Sequence, residues 1–250
     1  NEEKDWSDYL LIKQVFDKSK SKAGWRTIQM KLKNKGIKMN HKKIQRIKKK
    51  YCMITKIRRI NPYRVIMKKT NEHKIFENKL NRDFKQNTPF KVFCTDITYL
   101  PYNGRIAYLS VIKDISSREI ISWNMSQHLE MDIVMNTLEK MKNNPAILSL
   151  ENILFHSDQG FQYTNPFYIN SVKEMNMIQS MSRKGNCIDN APMESFFGHF
   201  KDDVDYKNCK TYEELKTLVD EYMNYYNNER YQWGIQKMTP VEYRNHLLLV

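Results

Sequence analysis

Apolar positions recur with helical spacing through the first fifty residues and change to strand-like runs after residue 90. Residues 6–16 place Trp6, Tyr9, Leu10, Ile12 and Phe16 in a helix-like pattern, and residues 24–33 repeat it with Trp25, Ile28, Met30 and Leu32. The turn Asn34-Lys35-Gly36 ends the second helix, and Asn40 caps a third that runs through Ile44, Ile47 and Tyr51. Residues 56–90 hold Pro62 and Pro89, show little periodicity and read as a basic linker. KVFCTDITYL (91–100) then reads as a strand, Asn103-Gly104 as a hairpin-type turn, and 105–113 and 119–123 as two more strands. A helix over 129–141, a short buried strand over 152–156, a helix over 166–175 and a strand over 177–180 follow. The order β-β-β-α-β-α-β-α predicts a mixed sheet with helices against it.

The last helix of that series carries more than a periodic pattern. In SMSRKGNCIDNAPMESFFGHFK (180–201), Arg183, Lys184, Gly185 and Asn186 read as a basic loop, Asp189 or Asn190 as the N-cap, and Pro192 as a first-turn residue. Met193, Phe196, Phe197, Phe200 and Val204 make one apolar stripe, with Glu194, Gly198 and Lys201 together on its flank. Taken alone, this is an amphipathic helix with a solvated charged edge.

Charge changes the picture at the N-terminal end. The formal net charge is +14, and residues 1–90 hold 26 Lys and Arg against 8 acids, with no acid between Asp17 and Glu72. Such a segment needs a polyanion, and nucleic acid is the first candidate. A membrane surface fits poorly, because the basic helices lack a Trp/Phe/Leu-rich face, and no apolar run approaches the ~20 residues of a membrane span. The third helix is loaded with Lys42, Lys43, Arg46, Lys48, Lys49 and Lys50, so the three helices are either a helix-turn-helix unit or a basic hairpin that clamps phosphates. Lys42, Lys43, Arg46 and Lys49 are its candidate DNA contacts. Four scattered cysteines (52, 94, 187 and 209) form no metal-type pair and suit a reducing, intracellular compartment.

Two further acids stand out by position. Asp96 lies within a strand, where Asp is disfavoured. Asp158 follows the strand NILFH in the turn His156-Ser157-Asp158-Gln159-Gly160, and ligands gather at such carboxyl ends of strands. If Asp96, Asp158 and Glu194 converge, their mutual repulsion raises a pKa unless divalent cations intervene, and hard oxygen ligands select Mg²⁺ or Mn²⁺.

These residues carry a resemblance. FCTDITYL around Asp96, FHSDQGFQYTN around Asp158 and SRKGNCIDNAPMESFFGHFK around Glu194 resemble the OrfB-type insertion-sequence transposases of the DDE superfamily, which includes retroviral integrases. The last two acids are separated by 35 intervening residues, the interval that family uses. Lys201 matches its following basic residue. The tail YYNNERYQWGIQKMTPVEYR and the N-terminal GWRTIQMKLKNKGIKMNHKKIQRIKKK are also similar to the family, whereas Cys94 stands where members commonly carry Trp.

The resemblance implies an α/β, RNase H-like integrase catalytic core, a five-stranded mixed sheet with flanking helices, preceded by a small all-α helix-turn-helix-like domain. Its expected divisions are a DNA-binding unit over 1–55, a linker over 56–90, the core over 91–229 and a tail over 230–250. It implies a transposase that cuts and joins DNA strands, with Asp96, Asp158 and Glu194 holding two Mg²⁺ or Mn²⁺ ions and Lys201 holding a phosphate or base. Gly198 would let a DNA backbone approach, and Arg183 and Lys184 would touch DNA. Expected partners are element-end and target DNA, an upstream OrfA protein by fusion or association, and further copies of the chain on DNA. The expected location is the cytoplasm of a bacterium, at the nucleoid. A catalytically silent DNA-binding regulator and a stand-alone nuclease of the same fold are the rival readings. Roles for His156 (phosphate, water or structure) and Arg230 (DNA or the catalytic helix) stay open, while Asn186 and Asn190 read as loop and cap residues and Tyr163 as packing.

Overall fold

The computed structural model describes residues 2–55 and 75–249. Three helices come first: α1 (Glu2–Lys18), α2 (Trp25–Asn34) and α3 (His41–Lys50). Gly36, at φ +78°, closes α2, and the Asn40 side chain caps α3 by accepting the Lys42 N–H at 2.9 Å. Ile12, Val15, Phe16, Ile28, Leu32, Ile44 and Ile47 form their shared core. The α1 pattern differs from expectation at two positions. Trp6 and Leu10 are about half exposed, because the core takes Val15 in their place. Tyr9 stacks on Tyr51 at 4.2 Å and closes the unit at its far side.

The part of the expected linker over 56–74 lies outside the described residues. The rest, 75–90, packs against the sheet that follows. Leu80 is buried, and Ser180 accepts the backbone N–H groups of Lys79 (2.9 Å) and Leu80 (3.3 Å). Little periodicity therefore meant irregular backbone here and not detachment.

That sheet has the order β3-β2-β1-β4-β5, from β1 (Val92–Tyr102), β2 (Arg105–Asp114), β3 (Ile120–Ser126), β4 (Leu154–Ser157) and β5 (Ile178–Met181). The first three are antiparallel neighbours, while β4 and β5 run parallel to β1. β1 runs on through Pro101, where it is paired only with β2, so the missing N–H breaks no β1–β4 bond. On one face pack α4 (Met131–Lys142), α5 (Phe161–Thr164) and α6 (Pro166–Glu174), around Phe93, Ile112, Phe155, Tyr163 and Tyr168. On the other lie α7 (Ala191–Asp203) and α8 (Tyr212–Asn228), around Cys94, Leu109, Val111 and the aromatic stripe of α7.

The tail folds back onto the core. Asn227 bonds both the N–H (2.8 Å) and the carbonyl (2.9 Å) of Ile120. Arg244, on α9 (Pro240–Leu249), makes two bonds to Glu119 at 2.7 and 2.9 Å. The three-helix unit rests on the same end of the molecule. Lys22 donates to the Asp203 carbonyl at the end of α7, and the Lys31 ammonium lies 5.3 Å from the Tyr225 ring centre.

Candidate active site

Strand register brings the first two acids together. Cys94 on β1 pairs with His156 on the parallel β4, and two residues further along each chain stand Asp96 and Asp158. Neighbouring strands lie about 4.8 Å apart, so both carboxyls emerge at the same end of the sheet. β4 stops at Ser157, which leaves β1 open on that side beyond the pair.

The third acid is placed by what precedes it. A short 3₁₀ turn, Cys187–Asn190, leads into α7 with Pro192 in its first turn. The expected caps act differently. The Asn190 amide donates to the Thr95 carbonyl at 3.3 Å, tying the start of α7 to the strand residue beside Asp96. Asp189 is fully buried and held by Arg183 (2.9 Å) and Arg82 (2.7 Å), so neither side chain caps the helix. From the sheet side, the buried Lys113 ammonium donates to the Pro192 carbonyl at 3.2 Å. Met193, Phe196, Phe197 and Phe200 then bury the expected stripe, Phe196 edge-on to Tyr226 at 5.0 Å and Phe200 edge-on to Tyr222 at 5.1 Å. Glu194 is left on the half-buried flank, in the first turn.

The three acids share one electrostatic field. Loss of water drives the Asp96 carboxyl well above the ordinary carboxylate range, and the charges of Asp158 and then Glu194 push it further. The Ile97 N–H at 2.8 Å and Lys201 oppose the rise. Asp158 is raised as well, mainly by burial, against the Gly160 N–H that it accepts at 2.8 Å. Among the described residues, no three His, Cys, Asp or Glu side chains are gathered closely enough to hold a metal ion as they stand. Bringing such carboxylates closer without a counter-charge would raise their pKa values further. The donor set is all oxygen and all carboxylate, which suits a hard divalent cation.

Around this set, Lys201 sits further along α7 with its ammonium 4.6 Å from the ring centre of Tyr99, itself more than half exposed. A side chain at Gly198 would meet no atom within 4 Å, so the helix is open there. Lys184 is exposed, whereas Arg183 is tied to Asp189. On α3, Lys42 and Lys49 are exposed. Lys43 is paired with Asp8, and Arg46 with Asp5 at 2.5 Å, so α1 neutralises part of the basic face. His156 is fully buried between Ser180 (2.9 Å) and Ser182 (3.1 Å), a packed placement away from solvent, and burial lowers its pKa to about 4. Tyr163 is packing, with its hydroxyl 3.4 Å from that of Thr95. Arg230 faces α7, 3.5 Å from Asp203. Lys113 and Arg82 were invisible to local pattern, as was the buried ion pairing of Asp189. Only the Asp189-Asn190 pair before Pro192 hinted that the helix entrance was special.

Residues 86–187 and 194–248 match the integrase core domain family, and residues 4–60 match the HTH-like domain family. InsK of Escherichia coli K12, described as a transposase for insertion sequence element IS150, is 37% identical over 239 residues, covering 94% of this chain and 81% of that relative. A transposase-like protein of Haemophilus influenzae is 38% identical over 213 residues, covering 85% and 96%. Among solved structures, the simian T-cell lymphotropic virus intasome in complex with PP2A regulatory subunit B56 gamma superposes with a TM-score of 0.52 at 14% identity, covering 86% of this chain and 70% of that one, a likeness of fold. No described helix is long and apolar enough to cross a membrane. With three helices of the HTH-like type ahead of an integrase core built on a five-stranded mixed sheet, the chain belongs to the insertion-sequence transposases of the DDE superfamily, enzymes that bind DNA and catalyse its transposition.

Proposed function

We propose that Asp96, Asp158 and Glu194 are the carboxylates of this transposase's reaction and that together they hold two divalent cations, Mg²⁺ or Mn²⁺. The observation that carries this reading is the β1–β4 register, which sets Asp96 and Asp158 level at the open end of the sheet, where the Asp96 carboxyl is raised by burial and by both other acids. Bound there, the cations would supply charge stabilisation for the attacking and leaving oxygens of an in-line displacement at phosphorus.

The chain's own residues do the positioning. Asp96 and Asp158 are held at one level by the β1–β4 register, and Glu194 is presented by a helix anchored at both Asn190 and Pro192. Lys201 supplies a cation on the same helix to hold a phosphate or base of the DNA end. Gly198 leaves the space between Glu194 and Lys201 open to a DNA backbone. The reaction would run in two displacements. Water first frees a 3′-hydroxyl at the element end, and that hydroxyl then attacks a second phosphodiester. Neither step needs a covalent enzyme intermediate.

Lys42, Lys49 and Lys184 are exposed cations suited to DNA phosphates. Lys43 and Arg46 would join them by exchanging their α1 carboxylates for phosphate, and Arg183 would contact DNA while keeping Asp189. Two DNA ends call for more than one copy of the chain, and an upstream OrfA protein would join by fusion or association, in a bacterial cytoplasm at the nucleoid.

Oligonucleotides bearing the element's own ends test the assignment, with strand cleavage and strand transfer read separately in Mg²⁺ or Mn²⁺. Asp96→Asn, Asp158→Asn and Glu194→Gln should each lose about a thousandfold or more of both products, the scale of several kcal/mol of lost charge stabilisation. Full activity in any one of them would remove that acid from the set. Cut ends that are never joined would favour a nuclease.

A further inference from the structure

Where the three-helix unit meets the tail there is a cleft of about 250 Å³ that the catalytic site does not use. Gln29, Met30, Lys33, Lys38, Met39 and Asn40 line one wall, and Trp233 and Lys237 form the other. None of these lining residues is acidic. We propose that this cleft is a second DNA-binding site, in which Lys33, Lys38 and Lys237 hold backbone phosphate and the Trp233 ring packs on the adjoining sugar or base. The proposal rests on the chain's DNA binding and adds a site for it.

Three observations point the same way. The first is the chemistry of the lining, three cations and an aromatic face, which is the combination that holds a polyanion carrying flat bases. Trp233 is about half exposed, and the Lys237 ammonium sits 4.6 Å from its ring centre.

The second is how the Trp233 wall is built. Gln236 and Lys237 both hold positive φ, +53° and +63°, in a turn closed by Lys237 N–H to Gln232 O (3.1 Å) and Gln232 N–H to Met238 O (3.0 Å). Two consecutive non-glycine residues in this region are strained, and such strain persists where the surroundings enforce it. Arg118 packs against the same segment from the core: it bonds Gln232 at 3.4 Å, and a side chain at Gly234 would come within 2.7 Å of its guanidinium. The ring and the ammonium are therefore presented on a braced turn.

The third is position. Asn40 is both a lining residue and the cap of α3, so the cleft opens at the N-terminal end of the helix expected to enter the major groove. DNA held by α3 would continue into a wall that belongs to the catalytic unit. By charge, residues 56–74 are a poor occupant, because they hold seven Lys and Arg against one acid and share the sign of the cleft.

The test is binding of the full chain to a labelled duplex carrying the element's end, measured by fluorescence anisotropy across a salt series. Lys33→Ala/Lys38→Ala/Lys237→Ala should weaken binding about tenfold or more near 0.1 M salt, and flatten the log K against log salt slope by about 2–3, given about 0.9 per lost phosphate contact. Trp233→Ala should weaken binding about tenfold, and Trp233→Phe, which keeps a ring, should restore most of it. Melting curves matching the parent show that the variants fold. Parent-like affinity and slope in the triple variant would overturn the proposal. If Lys42→Ala/Lys49→Ala flattens the slope while the triple variant does not, α3 binds DNA and the cleft does not. A parent chain that fails to bind the duplex at all removes the DNA-binding reading itself and the cleft with it.

Discussion

Gly160 leaves no room for a side chain beside Asp158: its N–H donates to the carboxylate at 2.8 Å, and a Cβ built on it would stand 2.9 Å from the same oxygen. The turn that ends β4 thus aims Asp158 through a backbone bond, and a methyl at position 160 would crowd the oxygen that this bond holds. Gly160→Ala should push the carboxylate from its position. The expected outcome is a modest loss of stability, about 1–2 kcal/mol as for other overpacked sites, with a loss of strand cleavage of at least tenfold. Denaturant melts set beside cleavage rates check the split. Parent-like cleavage would show that the aim of Asp158 does not depend on this turn.

Asp189 is the acid whose loss should cost most outside the catalytic set. It is buried, and the Arg183 guanidinium, with Arg82 beside it, holds its carboxyl far below the usual carboxylate range. A depressed folded-state pKa means that the unfolded chain binds the proton more readily. Its contribution to stability is therefore full above the unfolded value, near 4, and is lost as pH falls below it. Asp189→Asn should cost about 1–3 kcal/mol at neutral pH, since it weakens the charge-assisted hydrogen bonds from Arg183 and Arg82, whose partly exposed guanidiniums water can still reach. It should also flatten the acid limb of the melting-temperature profile between about pH 4 and pH 2. A variant whose acid limb is as steep as the parent's would place that dependence elsewhere.

Gly198 separates helix stability from access. A methyl there meets nothing within 4 Å, so Gly198→Ala should stabilise α7 by up to about 1 kcal/mol through helix propensity alone. If a DNA backbone passes between Glu194 and Lys201, the same methyl should slow strand transfer severalfold. A higher melting temperature combined with unchanged transfer would show that DNA takes another course.

Lys201 and Tyr99 offer a further check at the same edge. Lys201→Ala should weaken productive binding of the DNA end, raising KM more than it lowers the rate at saturating DNA, because a phosphate-holding cation acts before the chemical step. Tyr99→Leu removes the aromatic face 4.6 Å from the ammonium and should reproduce part of that effect, a few-fold. Steady-state cleavage across a range of end-DNA concentrations distinguishes this from a purely chemical role. An effect of Lys201→Ala confined to the rate at saturation would contradict it.

Much of the fold was legible because its elements announce themselves locally. Helical spacing marked α1 to α3, α4, α6 and α7, and the runs over 91–123 marked the first three strands within a few residues of their observed ends. The Phe196–Phe200 stripe was readable for the same reason, since residues three and four apart share a helix face whatever the rest of the chain does. Legibility ended where backbone was irregular. Residues 75–90 carry no period, yet Leu80 is buried and the segment bonds Ser180.

By itself, the sequence determined the division between a basic helical unit and a mixed α/β core, the element that carries each acid, and the polyanionic partner. Tertiary structure decided the rest. The β1–β4 register that levels Asp96 with Asp158 joins residues 62 apart, and the burial of Asp189 depends on Arg82, 107 residues away. The choice of Arg244 as partner for Glu119 spans 125 residues. Periodicity encodes which face of an element is apolar. Which two faces or charges then meet is settled only when separate elements compete for the same core, because contact energy depends on proximity in space and not along the chain.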